Sequence, residues 1–429
     1  MQIHVVSQGD SVYSIAALYE TTPNRIIEAN ELETPGNLVI GQALVIPING
    51  EYYFVQPGDS LFEIAQLFNT TVEELIQVNQ LQPGAMLPVG FRLFIPPKPK
   101  SNITSNAYIE PTGAQVSQTL IDSAERRSAL LTYLAPFSYR IQEDGSLEAP
   151  PLDNFPAIAQ NNNTALMMVV TNLTDEGFSD ELGRTILTNE QIQDTLLDNI
   201  IQTAQEVGYQ DIHFDFEFLP PELGEQYNQF LRKAKQRLAN EGLLISTALA
   251  PKTSAEQQGE WYEAHDYKAH GEIVDFVVLM TYEWGYSGGP PLAVSPIDKV
   301  REVVDYALTE MPAEKILLGQ NLYGYDWTLP FEPGGDFAKA ISPQQAIQLA
   351  RENNVSISYD EEAQAPYFTY TDGEGNEHEV WFEDARSIQE KFNLIKELNL
   401  KGISYWKLGL SFPQNWEILN NDFNIEKNQ

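Results

Sequence analysis

Apolar residues along this chain follow two periods, and each predicts a different element. Near residue 212 they alternate: Ile212, Phe214 and Phe216 are interleaved with Asp211, His213, Asp215 and Glu217. A period of two places the apolar set on one face of a β-strand and the ionisable set on the other. Apolar runs of strand length lie at 130–134, 165–170, 212–218, 244–248, 276–282, 316–322 and 402–406. Between them, apolar residues recur every three or four positions at 189–207, 226–240, 296–309 and 386–398, which predicts helices. Strands alternating with helices over roughly 300 residues predict an α/β fold, a (β/α)8 barrel spanning 107–429. The stretch 326–379 breaks the alternation. Its run from Tyr367 reads as a hairpin with Asp372-Gly373 at the turn, so a small α+β insertion is expected between the last two barrel strands.

The N-terminal hundred residues follow another pattern, an internal repeat. Val6-Ser-Gln-Gly-Asp-Ser-Val-Tyr-Ser-Ile-Ala16 returns as Val55-Gln-Pro-Gly-Asp-Ser-Leu-Phe-Glu-Ile-Ala65, at an ungapped offset of 49. Asn30 matches Asn79, Gly41 matches Gly90, and Ile46-Pro47 matches Ile95-Pro96. Each copy, 2–48 and 51–97, reads as strand, helix, helix, strand. Asp10-Ser11 and Asp59-Ser60 stand where a helix N-cap is wanted. Units of about 45 residues have thin cores, and two in tandem suit multivalent binding better than catalysis. The repeat resembles a pair of LysM modules, which bind N-acetylglucosamine-containing glycans such as peptidoglycan and chitin. That resemblance implies glycan contacts from Gly9, Asp10, Ser11 and Asn30, and from Gly58, Asp59, Ser60 and Asn79. The two aspartates fit a helix-capping role equally well. Residues 98–106, with Pro99 and two serines after a Pro-Pro pair, are expected to form a linker.

Composition narrows the partners. With 61 acidic against 25 basic residues the net charge is −36, a field that repels nucleic acid and anionic membranes. Without any cysteine, disulfides and thiolate metal sites are excluded. No apolar run approaches the roughly 18 residues of a membrane span. The first residues lack the basic-then-apolar pattern of a secretory signal, so synthesis in the cytoplasm without export is expected. The five histidines show no metal-ligand spacing, and no cofactor is expected. Gly285-Tyr-Ser287-Gly-Gly289 has the spacing of a nucleophile elbow, but Pro290-Pro291 prevents the helix that must follow.

Barrel enzymes carry their chemistry at the C-terminal ends of the strands. This sequence puts Asp215, Glu217, Tyr282, Asn321, Tyr323 and Trp406 there. Asp215 and Glu217 lie roughly 7 Å apart along one strand. Two carboxylates can cleave a glycosidic bond, but the usual retaining mechanism sets acid and nucleophile on opposite sides of the sugar. A pair on one strand does not easily straddle a ring. One way out is for the substrate's own C2 N-acetyl group to attack C1.

Gln210 to Glu217 resembles the strand signature Asp-x-x-Asp-x-Asp-x-Glu of glycoside hydrolase family 18, with Gln210 and His213 at its first two aspartates. Met280-Thr-Tyr282 matches a further family motif, with Glu283 in place of the commoner Asp, and Trp406 matches the tryptophan that floors the cleavage subsite. The resemblance implies that Glu217 is the acid and later the base, Asp215 orients the acetamido group, Tyr282 hydrogen-bonds its carbonyl, and Trp406 stacks under the sugar. Asn321 and Tyr323 are expected beside the substrate, as is His213, which is also expected to hydrogen-bond Asp215.

Phe137-Ser-Tyr-Arg-Ile141, Tyr282-Glu-Trp-Gly-Tyr286 and Phe412-Pro-Gln-Asn-Trp416 are similar to one branch of the family, from endospore-forming bacteria. Its members join two LysM modules to the barrel, lack a signal peptide, and act as N-acetylglucosaminidases on spore cortex fragments during germination. The resemblance implies deposition in the coat or cortex layers. Chitin hydrolysis and a non-catalytic wall-binding lectin are the alternatives.

Overall fold

A computed structural model describes residues 1–84, 86–259 and 261–427. Among them, eight parallel strands close into a barrel: Ser101–Ile109, Tyr133–Pro136, Ala165–Thr171, Tyr209–Asp215, Leu244–Leu249, Phe276–Leu279, Ile316–Asn321 and Gly402–Trp406. Each pairs with the next, and the ring closes where Gly402–Tyr405 run beside Thr104–Ala107.

The period of two decides the layers. Outward-facing Ile212, Phe214, Ile245, Val277 and Leu318 join one large hydrophobic cluster with Leu197, Phe230, Leu231, Val303 and Phe392 from the surrounding helices. Phe214 meets Phe230 edge-on at 5.2 Å. Inward-facing Tyr108, Tyr133, Met167, Val169 and Phe276 fill the barrel itself. Buried Asn106, Asp211, His213 and Ser246 share that interior. Helix Glu190–Val207 shows how the chain is delivered to a strand. Asn189 caps its start through the Gln191 and Ile192 N–H groups, and Gly208, at φ +92°, ends it one residue before the fourth strand.

The expected linker 98–106 is corrected by the structure. Residues 101–106 belong to the first barrel strand, whose other edges pair with Tyr133–Pro136 and Phe423–Ile425. Polar side chains hid it. Thr104, Ser105 and Asn106 are buried, and Asn106 donates to Ser404 Oγ of the adjacent eighth strand at 2.8 Å. A strand whose inner face is hydrogen-bonded rather than greasy lacks the alternation by which strands are recognised.

The insertion follows the seventh strand. Gly324–Leu329, Lys339–Ile341, Ser358–Asp360, Ala365–Thr371 and Glu377–Trp381 form an antiparallel sheet, with helix Pro343–Glu352 packed on it. Ser342 closes a capping box with Gln345 at that helix start. The N-terminal repeats fold as two small units. Gln2–Val5 pairs with Ala43–Ile46, and Glu51–Phe54 with Arg92–Ile95, each pair enclosing two short helices. Ala43 and Val45 join the barrel's hydrophobic cluster, so the first unit is welded to the barrel. The second rests on the first: Arg92 donates to Leu18 O at 2.6 Å and the Tyr52 hydroxyl to Glu20 at 2.9 Å. Among the described residues no helix is long and apolar enough to cross a membrane.

Candidate active site

The fourth strand stops at Asp215 and the sixth at Leu279. Glu217 and Tyr282 therefore stand on the loops just beyond, at the barrel's C-terminal mouth. Asp215 is 5% exposed, and its Oδ1 has no protein hydrogen-bond partner. Burial pushes its carboxyl up to about 7. Glu217 is pushed well above the usual carboxylate range, by burial first and then by the Asp215 charge; the Trp261 indole N–H, donated to Oε2, opposes this. Two carboxyls this close titrate as a unit. Burial holds a proton on the pair near neutral pH, as general acid catalysis requires.

The backbone under Glu217 is clamped from two sides. Asn172, one residue past the third strand, donates from Nδ2 to Glu217 O at 2.9 Å and accepts from Glu217 N–H at 3.0 Å. His265 Nδ1 accepts from Ala250 N–H at 2.9 Å, so its proton is on Nε2, which donates to Phe216 O at 2.9 Å. Tyr282 is buried beside the pair; burial raises its hydroxyl first, then the charges of Asp215 and Glu217. Gly319 makes room for it, since a Cβ there would lie 3.0 Å from the Tyr282 ring and 2.2 Å from Leu279 O. Trp406, partly exposed, packs against Phe137 at 4.7 Å and Tyr108 at 5.5 Å. Phe137 continues into a groove of about 620 Å³ lined also by Glu110, Arg140, Glu148 and Leu173. The neighbouring carboxylate Glu283 is engaged by the Tyr323 and Tyr325 hydroxyls. Asp215, Glu217, Tyr282 and Trp406 are thus brought to one mouth, with Tyr323 behind Glu283.

Other expected site residues are placed elsewhere. His213 does not reach Asp215 or the mouth. It is fully buried, with Nε2 on Tyr108 OH and Nδ1 on Ser246 Oγ, both at 2.8 Å, and burial drops its ring to about 3. Ser246 continues to Asp211 at 2.6 Å. His213 is therefore a neutral link in a chain one layer below the carboxylates. Asn321 is also fully buried, donating to Tyr323 O at 2.7 Å and accepting from Gln320. Both lie deeper than the sequence implied, because strand periodicity gives the face of a residue and not its depth.

In the N-terminal units, Asn30 and Asn79 tie the second helix to the last strand. Asn30 bonds Ile26 O and both backbone groups of Val45; Asn79 bonds Leu75 O and both of Phe94. Those amides are used up internally. Ser11 and Ser60 are the N-caps, while Asp10 and Asp59 accept from Ser7 and Gln56 N–H at 2.7 Å, turning the chain at Gly9 and Gly58. The Asp side chains thus hold the turn rather than the helix.

Trp261, Asn172 and His265 were not foreseen from sequence. Trp261 lies between the fifth strand and helix Tyr267–Ile273, where no period marks it. Its position in a loop after a barrel strand is the one available signal. Trp261→Phe removes a donor that favours the Glu217 carboxylate. Glu217 then holds its proton to higher pH, and the alkaline limb of the kcat/KM profile is expected to move up by about half a unit or more. An unmoved limb in the variant's pH–rate profile would mean that this bond has no bearing on the acid.

Comparison with known proteins agrees with this geometry. The model for Glycosyl hydrolases family 18 matches residues 107–410, and that for the LysM domain matches 4–47 and 53–96. The cortical fragment-lytic enzyme of Bacillus subtilis (strain 168) is 66% identical over 427 residues, covering 100% of this chain and 99% of that protein. Its counterpart in Bacillus anthracis is 54% identical over 428 residues, with 100% and 99% coverage. The crystal structure of the Bacillus megaterium QM B1551 spore cortex-lytic enzyme superposes with a TM-score of 0.92 at 53% identity, covering 100% of this chain and 99% of that one. With a carboxylate pair at the mouth of a closed (β/α)8 barrel and relatives of this likeness along its whole length, the chain belongs to glycosyl hydrolase family 18 and carries two LysM domains ahead of the barrel.

Proposed function

We propose that the protein hydrolyses β-1,4 bonds at N-acetylglucosamine in spore cortex peptidoglycan fragments during germination, with retention and with the substrate's acetamido group as nucleophile. One observation carries this: Asp215 presents a buried carboxylate oxygen with no protein partner, two residues from an acid that burial keeps protonated. Such an oxygen is costly unless a ligand N–H meets it. An acetamide N–H satisfies it.

The geometry supports the following steps. The Glu217 carboxyl gives its proton to the glycosidic oxygen as the C1–O bond breaks. The acetamido oxygen closes on C1 from the opposite face, and the Asp215 carboxylate accepts the N–H of the oxazolinium ring that forms. Tyr282 donates to the acetamido oxygen, and Trp406 carries the sugar's apolar face. Water then attacks C1, its proton passing to Glu217, which regenerates the acid. Two inversions at C1 leave the configuration retained.

The relatives that are cortical fragment-lytic and spore cortex-lytic enzymes support the substrate and a spore-associated site of action, and the LysM domains support retention on the glycan. The test is mass analysis of borohydride-reduced digests of cortex fragments. New reducing ends should be N-acetylglucosamine; reduced muramic ends would refute the bond assigned here.

A further inference from the structure

We propose that the two LysM domains have different tasks: the second grips the glycan, and the first is the mount that fixes the pair to the barrel. This rests on reading the LysM domain as a unit for N-acetylglucosamine-containing glycans. The LysM resemblance implies that one wall of the groove is the loop between the second helix and the last strand, 30–42 in the first domain and 79–91 in the second.

In the first domain that wall is bonded to the rest of the chain. Gln344 Nε2 donates to Asn30 O at 2.9 Å, Arg351 Nε to Asn37 O at 3.0 Å, and Arg386 Nη2 to Gly41 O at 3.2 Å. The Ile357 N–H donates to Ile40 O at 2.9 Å, and Arg127 pairs with Glu31 at 3.1 Å. Val39 is buried with Ile341, Ile347 and Ile357 of the insertion. Gly41 sits at φ +84°, and a Cβ there would lie 1.9 Å from Ile357 O.

The second wall is the opposite case. At the position matching Gly41, a Cβ on Gly90 would meet nothing within 4 Å. Among the described residues of 79–91, none hydrogen-bonds to the barrel. Pro88 is exposed where Val39 is buried, and Val89 is 64% exposed against 46% for its match Ile40. The chemistry diverges too. Glu31 and Glu33 of the first wall are matched by Gln80 and Gln82 in the second. Amides can donate to and accept from sugar hydroxyl and acetamido groups, beside an apolar side chain that can cover the acetyl methyl. The Glu33 carboxylate repels the anionic substituents of peptidoglycan, and that of Glu31 is engaged by Arg127. The open wall is therefore also the one chemically suited to the polymer.

The test uses the full chain with Glu217→Gln, so that the polymer stays intact, and co-sedimentation with purified insoluble cortex peptidoglycan. Val89→Asp in the second domain is expected to weaken binding at least tenfold. Ile40→Asp, its match in the first, should change it less than twofold. Gln82→Glu, at an exposed position, repeats the first arm should Val89→Asp lower the melting temperature. Equal losses at Ile40 and Val89, or a larger one at Ile40, would overturn the division of tasks. Binding untouched by any of these would instead defeat the reading of both domains as glycan-binding units.

Discussion

Glu217→Gln is expected to lower kcat by at least about 10³-fold while binding to cortex peptidoglycan stays within about twofold. General acid–base assistance contributes roughly 10²–10⁴-fold, and Glu217 works in both half-reactions, so the upper part of that range applies. Glutamine keeps the size of the side chain and an oxygen for the Trp261 N–H, but it has no proton to transfer. Retained binding with lost turnover separates chemistry from folding. The same variant carries a stability signature. Glu217 has a raised pKa in the folded protein, so the folded state binds its proton more tightly than the unfolded state does. Its contribution is favourable at low pH and is lost as pH rises through and above the unfolded value of about 4.3. Glutamine has no such loss. The stability of Glu217→Gln relative to the parent, from urea unfolding, should therefore be greater at pH 8 than at pH 5. A kcat within tenfold of the parent would remove Glu217 from the acid role.

The second large effect is expected at Asp215. Asp215→Asn should lower kcat by about 10²–10³-fold, because a neutral amide cannot balance the positive charge that develops on the oxazolinium ring. Removing the Asp215 charge also removes one of the two influences that raise Glu217, so the alkaline limb should move to lower pH. The distinctive outcome comes from the substrate. Chemically N-deacetylated glycan, lacking the nucleophile, should be cleaved by the parent at least about 10²-fold more slowly, and Asp215→Asn should add little further loss. Residues and groups that act as one unit give such non-additive losses. Cleavage of the deacetylated glycan at the parental rate would rule out assistance by the acetamido group. The two variants thus differ in kind: Glu217 loses the proton, and Asp215 loses the partner of the intermediate.

Much of this was legible before any coordinates. The alternation through Ile212 and Phe214 marks a strand, and its polar face leads to both carboxylates, Asp215 at its end and Glu217 on the loop just beyond. The 49-residue offset reveals the tandem units, and Ser11 and Ser60 cap helices as their positions imply. What was illegible has specific causes. The first barrel strand carries Thr104 and Asn106 inward and Ser105 outward, all buried, where hydrogen bonds replace apolar packing. Trp261 and Asn172 come from loops, where no period exists to mark them. His213 and Asn321 were assigned to the mouth because they share strands with residues that reach it, yet both are sealed below.

The sequence by itself determined the element pattern, the repeat, and the carboxylate pair, because these depend on local period and residue chemistry. Only the tertiary structure decided depth along the barrel axis, and hence that Asp215 keeps a free oxygen while His213, two residues earlier on the same face, is bonded at both nitrogens. It likewise decided that two units of one repeat face different surroundings, one against the insertion and one open to solvent. Periodicity encodes direction from the backbone; neighbours from distant strands and loops decide what lies there.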